Sequence, residues 1–235
     1  MSIVLKEHDH NGDWHCYTVE PSLISLPSIN EIFELIDAFP KTLKDDRRSL
    51  VKLGDIDGCK IVAKQARDKN NRKWTRFLTL FSPGEARKTF VTLQEFKRKG
   101  IESLLPICLL EKKSYGMVVD SWLLYQYRDG HESNKTHLAR IVELLQKLHE
   151  NGYRHEDPNS GNFLIDSDDT MFLIDCKGKP RSGRYSDYYD FMLLVNNEFT
   201  AEDVDALTNM DKQSLAYRLA KAYKTYINLR SAWKK

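Results

Sequence analysis

The chain has 235 residues, 41% of them hydrophobic and 30% charged, and a formal net charge of +2. That length can bury a core in one domain or two small lobes, and so small a charge excess removes any electrostatic requirement for a nucleic-acid partner. The four cysteines, Cys16, Cys59, Cys108 and Cys176, form no CxxC pair, which argues against a zinc site or disulfide framework and for reduced thiols.

Charged residues near the N-terminus come too early for a signal-peptide core. No apolar run approaches the roughly 20 residues of a membrane span. A cytoplasmic protein, peripheral on a membrane at most, is expected. His8, Asp9, His10, His15 and Cys16 lack tetrahedral-site spacing and read as a polar terminus or surface strand. Residues 22–39 predict a short helix after Pro27, with Ser28 as cap and Ile29, Ile32, Phe33 and Ile36 at helical spacing. Residues 1–40 are thus an N-terminal extension carrying a packing helix.

Residues 49–54 and 59–66 alternate as strands around a tight turn at Asp55-Ile56-Asp57-Gly58. Lys64, Arg67, Lys69, Arg72, Lys73 and Arg76 then crowd a short stretch. They read either as a solvated face around a loop or as a surface for ATP, anionic lipid headgroups or phosphorylated glycan. Residues 83–99 predict a helix with Pro83 near its start, Gly100 as its stop, and Phe90, Leu93 and Phe96 as an apolar stripe. Residues 101–110 and 115–120 follow as loop and strand. Trp122 to Tyr127 is a buried-looking strand, closed by Arg128-Asp129-Gly130. Residues 136–151 give an amphipathic helix with Leu138, Ile141, Val142, Leu145 and Leu148 on one side, and His149 reads as packing or surface.

Residues 153–178 carry the densest chemistry. His155, Asp157 and Asn162 are spaced His-x-Asp-x-x-x-x-Asn, and Asp175 follows two apolar runs. Phosphoryl transfer needs a carboxylate near the acceptor hydroxyl and hard oxygen ligands for Mg²⁺, which Asp157, Asn162 and Asp175 offer. Phe163-Leu164-Ile165 and Met171-Phe172-Leu173-Ile174 read as short strands around a turn at 166–170. Such a hairpin brings Asn162 close to Asp175. Asp-Pro and Asn-Ser-Gly alone are ordinary turn chemistry; the hairpin and Asp175 favour the catalytic reading. Beyond it, Lys177, Lys179, Arg181 and Arg184 read as a solvated loop or as a surface for an anionic acceptor. Asp187-Tyr188-Tyr189-Asp190 opens a helix. Residues 200–228 read as helical, capped at Thr200, with Leu215, Leu219, Ala222 and Tyr226 on a core face.

The stretch Asp157-Pro158-Asn159-Ser160-Gly161-Asn162-Phe163, with Ile174-Asp175-Cys176-Lys177-Gly178-Lys179, resembles the protein-kinase-like superfamily. Within it the chain looks most like the bacterial lipopolysaccharide core heptose(II) kinase family. That family typically carries Gly-Asp-Pro-His-x-Gly-Asn-Phe and Ile-Asp-x-x-Gly-Lys; here Glu156 stands for the glycine and Asn159 for the histidine. The resemblance extends, more weakly, from about Trp14 to the C-terminus. It implies an α+β bilobal kinase-like fold, with a small β-rich lobe over 41–126 and a mainly helical lobe over 127–235. It implies ATP and Mg²⁺ as cofactors and a lipid-linked core glycan as acceptor, reached from the cytoplasmic face of the inner membrane.

Residue by residue, the resemblance gives Asp157 the acceptor hydroxyl, Asn162 and Asp175 the metal, and Lys64 the α- and β-phosphates. Glu85, with Glu95 as the alternative, would pair with Lys64. Arg47 or Arg48, in a glycine-free loop at 44–48, would supply charge to the phosphates. Backbone groups of Gln126 and Tyr127 would meet the adenine edge. His155 braces the catalytic loop, and Asp190 anchors its backbone. Two other readings stay open: a kinase for another acceptor (Kdo, a small molecule or protein), and a pseudokinase-like binding module.

Overall fold

The computed structural model describes residues 5–19, 24–176, 178–195 and 199–232. It divides into two compact units, residues 1–97 with 104–128, and residues 98–103 with 129–235.

The first unit is built on a seven-stranded antiparallel sheet. Its strands are β1 (Lys6–Asn11), β2 (Trp14–Thr18), β3 (Lys41–Asp45), β4 (Leu50–Ile56), β5 (Cys59–Gln65), β6 (Pro106–Ser114) and β7 (Met117–Gln126), in the order β1-β2-β6-β7-β5-β4-β3. The first 40 residues, expected as an extension, thus supply two strands of this sheet. Tyr115 to Asp120 and Trp122 to Tyr127, read as separate strands, fall largely in the single strand β7. The β4–β5 turn lies where the sequence puts it, with Asp57 and Gly58 both at positive φ. That is the backbone which matches a two-residue hairpin to strand twist.

Helix α1 (Ile29–Ala38) opens where the Ser28 N–H and hydroxyl both donate to Glu31 Oε2, at 2.9 and 2.6 Å. The Ile29 N–H donates to Asp9 Oδ2 at 2.9 Å. Asp9 is therefore a helix cap, the role that suits an acidic group beside unpaired amides. Ile29, Ile32 and Ile36 of α1 enter one core with Ile61 and Ala63 of β5 and Cys108, Leu110 and Leu124 from the neighbouring strands. Gly54 sits under Phe39: a Cβ there would come within 2.1 Å of the ring. The glycine is required by close approach, not by its backbone angle.

Between β5 and the next long helix the chain forms α2 (Arg67–Asn70) and α3 (Lys73–Leu78), where the sequence suggested a loop. Helix α4 (Glu85–Arg98) buries Phe90, Leu93 and Phe96, the expected stripe.

The second unit is mainly helical. Strand β8 (His131–Glu132) precedes α5 (Leu138–Glu150), which buries all five predicted core positions and His149 as well. Short strands follow: β9 (Tyr153–Arg154), β10 (Phe163–Ile165), β11 (Met171–Leu173) and β12 (Lys179–Pro180). β11, β10 and β8 form one small sheet, and β12 pairs with β9.

The unit ends in α6 (Arg184–Leu194), α7 (Ala201–Thr208) and α8 (Leu215–Ala232). The helix expected over 200–228 is therefore two helices, parted after Asn209 at φ 47°. Thr200 caps the first, accepting the Asp203 N–H at 3.1 Å. The expected core face of the last helix is corrected: Leu215, Leu219 and Tyr226 are exposed. α8 packs on α6 through Ala220 and Tyr223, whose ring meets Tyr189 at 4.9 Å.

Gly54→Ala is expected to force Phe39 out of place and cost about 1–3 kcal/mol, read by urea denaturation. Unchanged stability would show that the ring moves freely.

Candidate active site

The site in the second unit is organised by a carboxylate with no solvent exposure. α6 carries Asp187 and Asp190 one turn apart, and α5 brings His149 to its last turn. Asp190 Oδ2 accepts the His155 N–H at 2.7 Å and contacts His149 Nε2 at 3.0 Å. Its Oδ1 accepts the Glu156 N–H at 2.9 Å. Two amides of a non-helical segment and one imidazole thus converge on one buried group. A buried carboxylate is tolerated only when its lone pairs are so used.

From that anchor the chain turns out to Asp157, which is exposed. The Asn159 N–H donates to Asp157 O at 3.0 Å and the Asn162 N–H to Asn159 O at 2.9 Å. Asn162 Nδ2 donates to Asp157 O at 2.8 Å. This fixes the amide so that its Oδ1 remains an acceptor. β10 and β11 pair in register from Phe163 against Leu173 to Ile165 against Met171. Asp166 Oδ1 accepts the Thr170 N–H at 2.9 Å across their turn. The Ile174 N–H then donates to Asn162 O at 2.9 Å. The structure therefore brings Asn162 beside the segment that ends in Asp175, as the hairpin reading requires. Asp175 is exposed and has φ 49°.

His155 is fully buried, its ring 5.4 Å from Phe163, and Nδ1 accepts the Asp157 N–H at a long 3.4 Å. Burial pushes its pKa down to about 4, against the opposing pull of Asp190 and Asp157. It is a neutral brace near pH 7. Glu156 has φ 73°, a left-handed conformation that favours glycine. Its carboxylate meets Arg154 at 2.8 Å and Lys179 at 2.9 Å. Arg181 forms a two-pronged bond to Asp187 at 2.7 and 2.6 Å, which raises its pKa. Lys179 and Arg181 are thus held by internal partners, contrary to a role as free acceptor ligands. Lys177 lies outside the described residues.

In the first unit, Lys64 is half-buried on β5, opposite Val51 of β4 and Leu123 of β7. It alternates with Ala63, so it lies on the face opposite the α1 core. Glu85 opens α4 on an exposed position and Glu95 is half-buried further along. Arg47 is exposed in a tight turn where Asp46 Oδ1 accepts the Arg48 and Ser49 N–H groups, each at 2.7 Å. Of the backbone groups expected at the adenine edge, the two amides are already used. The Gln126 N–H donates to Leu105 O and the Tyr127 N–H to Lys60 O, both at 2.8 Å. Neither amide is left to donate to a base. Long-range backbone pairing of this kind has no local sequence signal. The same holds for His149, whose role depends on a partner 41 residues away.

Residues 28–200 match the family model described as "Lipopolysaccharide core biosynthesis protein (WaaY)". The chain belongs to this family. A curated relative of the WaaY family, the lipopolysaccharide core heptose(II) kinase WaaY of Escherichia coli (strain K12), is 27% identical over 141 residues. The match covers 57% of this chain and 60% of that protein, so the chain spans less than two thirds of its relative. Among solved structures, "WaaP in complex with acyl carrier protein" matches with a TM-score of 0.53 at 14% identity, over 83% of this chain and 92% of that one. That likeness establishes a kinase-like α+β fold for this WaaY-family chain.

Asp190→Ala would strand two buried amides and His149. It should cost about 3–5 kcal/mol, measured by chemical denaturation; a loss under 1 kcal/mol would refute the anchoring role. His155 generates a pH signature. Between its ordinary pKa of 6.5 and its folded value of about 4, the unfolded chain binds a proton that the folded chain does not. Stability from this group therefore falls as pH drops through that window, by roughly 3 kcal/mol at most. His155→Leu should show a flatter stability profile between pH 4 and 6.5, and an unchanged slope would refute it.

Proposed function

We propose that this protein transfers the γ-phosphoryl group of ATP to a heptose hydroxyl of the lipopolysaccharide inner core. The observation that carries the reading is the Asp190-anchored loop, which presents Asp157 outward while bonding Asn162 to the segment before Asp175. Family membership and the name of the Escherichia coli relative support the substrate class.

Asp157 orients the sugar hydroxyl and accepts its proton as the new bond forms. Its exposure suits a bulky glycan acceptor. Asn162 Oδ1 and the Asp175 carboxylate are hard oxygen donors of the kind Mg²⁺ takes. Among the described residues no three His, Cys, Asp or Glu side chains gather as a metal cage. One amide and one carboxylate fit a cation whose remaining ligands are phosphate and water. When bound, Mg²⁺ would neutralise charge on the β- and γ-phosphates. Lys64 holds the α- and β-phosphates, Arg47 adds charge from the β3–β4 turn, and Glu85 or Glu95 orients Lys64. His155 keeps the loop in place without itself taking the proton.

No helix among the described residues is long and apolar enough to cross a membrane. Reaction at the cytoplasmic face of the inner membrane, by peripheral contact with lipid-linked acceptor, completes the reading.

Asp157→Ala should lower phosphoryl transfer by about 10²–10⁴-fold with unchanged thermal unfolding. Mass spectrometry of lipopolysaccharide core from cells carrying no protein, wild type or Asp157→Ala tests the acceptor. Core phosphate should appear with wild type alone. A core indifferent to the protein would remove the glycan assignment and leave a kinase for another acceptor.

A further inference from the structure

Helix α3 and the turn after it are packed inside out. Thr79 Oγ1 accepts the Val118 N–H of β7 at 2.8 Å, so a polar side chain fastens this segment to the sheet. Trp74, Phe77, Leu78 and Phe81 follow i, i+3, i+4, i+7 spacing and are all exposed, with Trp74 at 69% and Phe81 at 76%. The rings touch one another, Trp74 on Phe77 and Phe77 on Phe81, each pair at 5.6 Å. α3 buries no residue. An amphipathic segment normally turns its aromatics to the core; this one turns them to solvent, where they form a patch rather than scattered single residues.

The patch extends across the β6–β7 turn. A Cβ at Gly116 would come within 3.2 Å of Leu80, and neighbouring Tyr115 is 94% exposed. A cleft of about 460 Å³ opens beside it, lined by Leu80 and Phe81, by Lys113, and by Arg87, whose charge is met by Glu111 in the same lining. Residues 67–82 carry five basic residues and one acidic one, more positive charge than the net +2 of the whole chain. Lys73 is exposed at the N-terminal end of the aromatic stripe, beside exposed Arg72, which pairs with Asp68.

We propose that residues 72–82, with the Tyr115–Gly116 turn beside them, dock this protein on an anionic phospholipid surface. Aromatic rings settle at the headgroup level and the cations meet lipid phosphate. The proposal deepens the kinase reading, on which it rests for its purpose: a lipid-linked acceptor is held at such a surface. The exposed residues of α8, Leu215, Leu219, Tyr226 and Leu229, form a rival apolar stripe, but the ring pairs of α8, Tyr217 with Tyr188 and Tyr223 with Tyr189, are made with buried tyrosines of α6.

The test is co-sedimentation with vesicles of phosphatidylglycerol and phosphatidylethanolamine, against vesicles of phosphatidylcholine alone, without ATP or acceptor. Its result is therefore independent of the kinase assignment. Wild type should bind the anionic vesicles and release as salt is raised. A triple variant, Trp74→Ser with Phe77→Ser and Phe81→Ser, should bind at least about 10-fold more weakly. Its unfolding and its ATP turnover on delipidated core oligosaccharide should stay unchanged, and Lys73→Glu should weaken binding further. Leu215→Ser with Leu219→Ser should bind as wild type. Absence of vesicle binding by wild type, full binding by the triple variant, or loss of binding in the α8 variant alone would overturn the proposal. So would light scattering that shows the aromatic patch to be a contact between two copies of the chain.

Discussion

A single buried carboxylate, Asp190, fixes the chemistry of the second unit. It has no solvent exposure, so its stability there depends on the hydrogen bonds of His155, Glu156 and His149. The dependence runs both ways. The segment from 155 to 162 has little regular structure, and its backbone needs partners that a helix or sheet would otherwise provide. Asp190 supplies two of them, and Asn162 closes the loop on Asp157 O. The group that would take the acceptor proton and the one that would face the metal are therefore parts of one bonded loop.

Much of this was legible because it is local. Two three-residue strands with a polar turn between them leave few ways to fold, and the hairpin follows. Hydrophobic spacing likewise marks the buried faces of α1, α4 and α5. Spacing failed on α8, where the apolar residues it selects lie outside, while Ala220 is buried and Tyr217 and half-covered Tyr223 meet the tyrosines of α6. Amphipathic pattern reports which side is oily; it does not report which side is covered. The backbone partners of Gln126 and Tyr127 were illegible for another reason. Their acceptors, Leu105 O just before β6 and Lys60 O on β5, are far away in sequence, and backbone pairing leaves no mark on residue type.

The basic residues after Asp175 show how charge near a site can be misread. Lys179 meets Glu156 and Arg181 meets Asp187, so these cations stitch the second unit together. Of that group, Arg184 is exposed at the start of α6 with no acidic partner among the described residues. Sequence proximity to a catalytic group raises local charge density without saying whether that charge is available to a ligand.

Glu156 holds a left-handed backbone that costs a side chain about 1 kcal/mol relative to glycine. Its carboxylate returns something by joining Arg154, on β9, to Lys179, on β12. The three residues form one electrostatic unit. With glycine at this position, Arg154, 13% exposed, would be left as a largely buried cation without its partner. Relief of the strained backbone at 156 is therefore coupled by electrostatics to the side chain at 154: glycine at 156 is tolerated best with an uncharged residue at 154.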